Sequence, residues 1–301
     1  MIIQTDNIWK KYGRFDAVQG LSVAVPEGST FALIGANGAG KSTTIKTLMN
    51  IIAPSQGSAT VLGVDSRRIS PREMAQIGYV SENQEMPGRL TVAEYIAYLR
   101  PFYPAWDRGL EAEILAQLRL PPERKIKNLS HGMRMKMALA CALPFRPRLL
   151  VLDEPFSGLD PLVRDEFMEN LLRQAGDGMT ILISSHELTE LEGVATHVAF
   201  LDRGKLLFQQ STDELSDRLR EVHVSLDRSA RPVAQMPKTW LDFRIAGNVA
   251  SFVDTAYSED RLAATVTAVF GSVRAIDAQP IGLRSIFKTL ARATRDGSTA
   301  S

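Results

Sequence analysis

Three short apolar runs, each bounded by turn residues, dominate the first two thirds of the chain. Thr30-Phe31-Ala32-Leu33-Ile34, Leu149-Leu150-Val151-Leu152 and Thr180-Ile181-Leu182-Ile183-Ser184 show no alternation. That is the texture of strands covered on both faces in a parallel sheet. Residues 1–25 alternate as short strands do, with a turn at Tyr12-Gly13 and a second run over Leu21–Val25; Pro26-Glu27-Gly28 then turns the chain into the first apolar run. Residues 91–119 carry helical spacing, broken at Pro101-Phe102-Tyr103-Pro104. A helix rich in Met, Ala and Leu follows Ser130 and ends near Pro144. Beyond about residue 210 the texture changes. Glu221–Leu226 and Trp240–Ile245 alternate with period two, followed by a helix over 259–269, a strand over 271–276 and a helix over 282–294. This predicts a small α+β appendix, with Asp296–Ser301 expected to fray.

Composition narrows the class of protein. The 301 residues are 45% hydrophobic and 23% charged, the balance of a chain with a packed core, and 35 Lys+Arg against 34 Asp+Glu leave a net charge of +1. So balanced a chain offers no bulk electrostatic hold on nucleic acid or anionic lipid. The single cysteine, Cys141, excludes an intramolecular disulfide, as is usual in a reducing compartment. No signal peptide is read at the N-terminus, and no apolar run approaches the ~20 residues that cross a bilayer. A membrane role is therefore expected to run through a partner.

Two motifs carry chemistry. Gly35-Ala36-Asn37-Gly38-Ala39-Gly40-Lys41-Ser42 fits G-x-x-x-x-G-K-[ST] and lies between an apolar strand and the helical stretch that starts at Thr43. Its glycines let backbone N–H groups turn inward on phosphate oxygens, and the helix N-terminus adds its dipole. Lys41 would reach the β- and γ-phosphates, and the Ser42 hydroxyl would ligate Mg²⁺. Leu149–Leu152 ends in Asp153-Glu154, two carboxylates at the carboxyl end of a buried strand, where open α/β sheets bind ligands. Asp153 is expected to hold Mg²⁺ through water, and Glu154 to polarise the water that attacks the γ-phosphate.

What surrounds these motifs is more selective. Leu129-Ser130-His131-Gly132-Met133 resembles the signature of ATP-binding cassette (ABC) ATPases, usually LSGGQ. Ser157-Gly158-Leu159-Asp160 looks like their D-loop, Ser185-His186 like their switch histidine, and Tyr12 stands where the family keeps an aromatic that stacks on adenine. The resemblance covers residues 1–210 and implies a P-loop NTPase of ABC type. Such a domain has a parallel-sheet core, an antiparallel β-subdomain and a helical subdomain (about 82–145), here with an accessory or dimerisation domain at 211–301. It implies an ATPase using ATP and Mg²⁺, in which two cassettes face each other head to tail. Ser130 and the Gly132 amide would then touch the γ-phosphate held by the opposite subunit, Asp160 would link the two sites, and His186 would hold the γ-phosphate and its water. The implied partners are membrane subunits on separate chains, and a second copy or a second cassette. The implied place is the cytoplasmic face of a bacterial-type membrane. The Phe102–Asp107 stretch is similar to an export-type subgroup often encoded beside GntR-type regulators. It falls beside the groove after the Q-loop where the family docks cytoplasmic helices of membrane subunits.

Three departures from the pattern stand out: His131 and Met133 replace Gly and Gln of the signature, and Glu82 in Gly78-Tyr79-Val80-Ser81-Glu82 stands where the Q-loop has Gln. A carboxylate there still suits Mg²⁺; otherwise the turn shifts and Gln84 takes the role. His197 and His223 read as packing residues, Met133, Met135 and Met137 as a packed helix, and Arg124-Lys125-Ile126-Lys127 as a solvated stretch. The rivals are a soluble ABC ATPase acting on ribosomes or DNA and a weakly hydrolysing regulatory cassette. The chain carries one copy of each motif and no sustained heptads between Ser42 and Ser130, against the first rival; Glu82 and the altered signature motivate the second.

Overall fold

The structure, a computed structural model, describes residues 1–175, 178–227 and 236–295. The N-terminal alternation folds as antiparallel strands: β1 (Ile3–Tyr12) pairs with β2 (Phe15–Leu21) and with the short β3 (Ala24–Val25). The run expected over Leu21–Val25 is thus divided. Gly20 adopts φ 66°, and Thr5 Oγ1 donates to Leu21 O at 3.0 Å while accepting from Val23 N at 2.7 Å. The threonine hydroxyl takes the Val23 N–H, while Thr5 N still donates to Val23 O at 2.8 Å, so the regular ladder is interrupted there.

The first buried strand, β4 (Thr30–Ile34), runs into the phosphate loop and α1 (Lys41–Leu48). β5 (Gln56–Val61) and β6 (Val64–Asp65) return to the outer sheet, ordered β2-β1-β5-β6 with β3 on β1. The short α2 (Pro71–Met74) leads into β7 (Ile77–Ser81), and three helices follow: α3 (Val92–Leu99), α4 (Arg108–Gln117) and α5 (His131–Ala142). Then come β8 (Leu149–Asp153), α6 (Pro161–Ala175), β9 (Thr180–Ser185), β10 (His197–Asp202) and β11 (Lys205–Ser211). The central sheet is ordered β11-β10-β4-β9-β8-β7, and its five strands from β10 to β7 are parallel. Every residue of β8 and β9 is buried, which is why neither alternates.

Side-chain caps start the helices where the sequence places them. Thr91 accepts from Glu94 N while Glu94 reaches back to Thr91 N, a capping box on α3, and Ser130 Oγ accepts from Met133 N at the head of α5. The break between α3 and α4 is tied by Glu111. Its carboxylate accepts from Trp106 Nε1 (2.8 Å) and from Arg100 Nε (2.8 Å) and Nη2 (2.6 Å). Burial pushes this carboxyl up, and the hydrogen bonds from Arg100 and Trp106 outweigh it, leaving it below the usual range. Trp106 also rests on Tyr103 and Phe145 and so braces the subdomain. Met135 and Met137 are buried in α5, and His197 stacks on Phe31, both as packing residues. Burial pushes the Cys141 thiol up to about 12, which makes it inert. Among the described residues no helix is long and apolar enough to cross a membrane.

Contacts divide the chain into two compact units, Met1–Gln209 and Gln210–Ser301. The second contains α7 (Thr212–Arg218), β12 (Arg220–Leu226), β13 (Trp240–Ala246), β14 (Val249–Asp254), α8 (Glu259–Phe270), β15 (Val273–Pro280) and α9 (Leu283–Arg295). Its antiparallel sheet is ordered β13-β14-β12-β15. β15 extends past the expected 271–276 because β12 pairs along it as far as Arg220↔Pro280. Val222, Val224 and Leu226 enter the core, so His223 falls on the opposite face, half-exposed beside Glu221; it is not the packing residue expected. Asp296–Ser301 lie outside the described residues. Trp240 stacks on Phe252 with centroids 3.8 Å apart at the centre of this core. Trp240→Ala is expected to destabilise the second unit by about 3–5 kcal/mol, read by urea unfolding. Nucleotide affinity of the first unit should stay unchanged, since its core is built separately.

Candidate nucleotide site

The loop from Gly35 to Gly40 is glycine-rich for a packing reason. A Cβ on Gly35 would lie 2.4 Å from Leu201 O, and one on Gly40, at φ 103°, would lie 2.6 Å from Ala17 O. The loop is clamped between the β2 backbone and the end of β10, and only glycine fits. No acidic residue occupies the first turn of α1, so its amide end keeps its positive character. Lys41 follows at once and is 4% exposed. Its ammonium donates to Gly35 O (2.5 Å) and Ala36 O (3.2 Å) and pairs with Glu154 Oε1 at 2.9 Å.

The sheet order brings the acidic pair to this loop. β9 lies between β4 and β8, so Ser184 near its end stands between the phosphate loop and the carboxylates. Ser184 Oγ donates to Asp153 Oδ1 (2.8 Å) and accepts from Glu154 N (2.9 Å); Ser42 Oγ donates to the same Asp153 oxygen at 3.0 Å. Glu154 sits at φ 51°, a left-handed conformation unusual for glutamate. That conformation turns its side chain toward Lys41 on one oxygen and His186 on the other, where His186 Nδ1 lies 2.8 Å from Oε2. This hydrogen bond raises the histidine above its ordinary value, with the negative charge of Glu154 adding to it.

A pocket opens over the loop, walled by Asn37, Gly38, Ala39, Gly40, Lys41, Ser42, Thr43, Glu154, Glu82, Tyr12, Phe15 and Ala17. Tyr12 and Phe15 face each other as the last pair of the β1–β2 hairpin. Phe15 and Ser184 belong with the site although no motif names them, and Ser157, from the D-loop-like stretch, reaches it as well. Phe15 carried a signal, an aromatic just past the turn; Ser184 looked like the end of an apolar run. Glu82, and not Gln84, reaches the pocket wall, and Ser157 Oγ donates to Glu82 Oε1 at 2.6 Å. Gly35 and Ala36 lie beneath as acceptors for Lys41. Ser130, Gly132 and Asp160 do not line the pocket: Ser130 is exposed at the head of α5, and Asp160 Oδ1 accepts from Val163 N at the start of α6.

The residues also fit a hard cation. Ser42 and Asp153 present oxygen donors together, and Glu82 adds one on the pocket wall. Burial raises the Asp153 carboxyl, a cost that an adjacent cation would offset. Among the described residues no three His, Cys, Asp or Glu side chains form a cage.

The family model for ABC transporters matches residues 18–157. A probable multidrug ABC transporter ATP-binding protein of Escherichia coli is 32% identical over 219 residues; these are 71% of this chain and 38% of that one. The chain thus spans well under half the length of that relative. A lantibiotic transport ATP-binding protein of Streptococcus pyogenes is 31% identical over 223 residues, 73% of this chain and 95% of that one. The chain belongs to the ABC transporter family of ATP-binding proteins. Among solved structures, the ATP-binding subunit of an ABC transporter superposes with a TM-score of 0.66 at 26% identity, covering 72% of this chain and 92% of that one. The ABC cassette fold is therefore present, and with it the P-loop NTPase architecture.

The His186–Glu154 contact makes a pH prediction for the cassette. A histidine raised by a folded-state partner contributes stability fully below the unfolded value and loses it as pH rises through the folded value. Proton NMR should find the His186 imidazole titrating above the ordinary histidine value, returning toward it in Glu154→Gln. A His186 titration indifferent to that substitution would contradict the contact.

Proposed function

We propose that this chain is the ATP-hydrolysing subunit of a multi-subunit ABC transporter, driving solute movement, in the export direction, through membrane subunits on separate chains. The observation that carries the reading is Glu154 held between Lys41 and His186 at the rim of the phosphate loop. An arriving triphosphate competes with Glu154 for the Lys41 ammonium, so binding itself frees the carboxylate. Glu154 then takes the proton of the attacking water as the bond from the γ-phosphorus to the ADP oxygen breaks, giving ADP and phosphate. His186 holds the γ-phosphate and the water in line. Mg²⁺, when bound, neutralises phosphate charge, with Ser42, Asp153 and Glu82 as its protein ligands. Tyr12, joined by Phe15, offers the aromatic surface for adenine.

The same reading assigns the remaining motifs to assembly. Ser130 and the Gly132 amide close on the γ-phosphate of a second cassette, a copy of this chain or another, and Asp160 lies in the joint between the two sites. Closure on ATP and opening after hydrolysis make a two-state element. A groove lined by Ile69, Pro71, Met74, Phe102 and Tyr103, with Phe102 61% and Tyr98 58% exposed, supports docking of an apolar segment from a membrane subunit. That would hold the chain at the cytoplasmic face of the membrane. Residues 211–301 would act as an accessory or dimerisation domain. Export is supported by the transport of multidrug and lantibiotic substrates named for its relatives.

Three variants test the reading. Lys41→Ala is expected to weaken ATP binding by about 10- to 100-fold, measured by titration, because a charge-assisted contact to phosphate is lost. Glu154→Gln should bind ATP yet lose at least about 100-fold in kcat, since the base is gone while the phosphate contacts remain. Tagged Glu154→Gln with ATP and Mg²⁺ should recover a multi-pass membrane protein from detergent-solubilised native membranes; recovery of ribosomes or DNA would overturn the transporter reading. Phe102→Asp should abolish that recovery and leave hydrolysis by the detached subunit unchanged.

A further inference from the structure

Two of the three departures, Glu82 and His131, are bonded to one and the same residue. His131 Nε2 lies 2.8 Å from Ser157 O. A carbonyl only accepts, so Nε2 carries the proton and donates. Ser157 Oγ donates in turn to Glu82 Oε1 at 2.6 Å. Glu82 lines the nucleotide pocket, and its backbone N–H donates to Asp153 O at 3.1 Å. At the other end His131 sits between Ser130 and Gly132 in the first turn of α5. Its ring lies over Gly158, where an added Cβ would come within 3.5 Å of His131 Cδ2. A glycine at 131 would have no side chain to reach Ser157. Gly132 is confined as well, since a Cβ there would lie 3.2 Å from Val163 Cγ1 and 3.5 Å from Leu159 Cδ2.

We propose that Glu82, Ser157 and His131 form a relay of positioning residues. It ties occupancy of a subunit's own ATP pocket to the placement of its signature turn, and so to the ATP which that turn grips across the dimer. The proposal rests on the dimeric ATPase reading above. A γ-phosphate arriving beside Glu82 places negative charge near a carboxylate, and the Ser157 hydroxyl and Mg²⁺ are the groups that oppose the resulting push. Any displacement of Glu82 is passed by one hydrogen bond to Ser157 and by a second to His131. The signature turn moves with it because Val163 on α6 and Leu159 just before that helix leave Gly132 little room of its own. The two departures therefore work as a pair, one sensing the near nucleotide and the other setting the contact to the far one.

The test is the ATP dependence of hydrolysis in the full chain, with thermal unfolding as the control for folding. The parent should show a Hill coefficient approaching about 2, the number of sites. His131→Ala cuts one end of the relay and Ser157→Ala the other. Each is expected to bring the coefficient to about 1, and His131→Ala, which lies off the pocket wall, should leave monomer affinity for a fluorescent ATP analogue unchanged within about twofold. The double variant should be no worse than either single one, since both break the same chain. His131→Gln, whose side-chain amide can still donate to Ser157 O, should restore cooperativity. Cooperativity that survives both single variants, or losses from His131→Ala and Glu82→Gln that simply add, would overturn the relay. A parent that hydrolyses ATP with a coefficient of one overturns the relay alone, whereas a parent that binds ATP without hydrolysing it overturns the ATPase reading itself.

Discussion

Lys41 and Glu154, 113 positions apart in the chain, meet at 2.9 Å, and much of the site is arranged to make that meeting possible. An ammonium only 4% exposed needs partners, because a buried charge without them costs several kcal/mol. Two carbonyls of the phosphate loop and one carboxylate supply them. The loop can lend its carbonyls only because Gly35 and Gly40 let it pass against neighbouring backbone. Glu154 can arrive only because its own backbone turns left-handed at the end of β8. Strain at one residue is thus sustained by an ion pair at another, and a triphosphate would use both groups once it separates them.

Around this pair, serines do much of the fixing. Ser42 and Ser184 place Asp153, Ser184 also holds the Glu154 amide, and Ser157 engages Glu82 and His131. A hydroxyl both donates and accepts, so one small residue can set the orientation of two larger ones. The helical subdomain uses a charged version of the same device: Glu111 gathers Arg100 and Trp106, holding the chain break at Pro101–Pro104 in one shape. Aromatic residues left exposed near that break are then presented on a rigid base, as a docking surface requires.

Much of the site was legible in order along the chain. The phosphate loop, the acidic strand end and His186 are contiguous motifs, and the all-apolar runs of β4, β8 and β9 betray strands buried on both faces. Two expectations differ from the structure, each for a clear cause. The run over Leu21–Val25 is divided because a threonine hydroxyl, which no periodicity reveals, takes the Val23 N–H from the ladder. His223 was misplaced because local apolarity was weighed above the alternation of β12, which sends it away from Val222 and Val224. Ser184 lies near the end of a buried strand as expected, and its bonds to Asp153 and Glu154 come from which strands are neighbours.

The sequence by itself determined the chemistry available: a loop for phosphate, two carboxylates, a histidine and a signature turn, each coded by residues adjacent in the chain. It also determined that a second unit follows, through the change from continuous apolar runs to period-two alternation. Only the tertiary structure decided which of these groups meet. The order β4-β9-β8 sets Ser184 between Ser42 and Asp153, bringing together residues 111 positions apart. The packing of α5 against the turn after β8 joins His131 to Ser157, and Ser157 to Glu82. Local motifs are written in local sequence, whereas contacts between them depend on strand order and on side chains that find one another only after the core has formed.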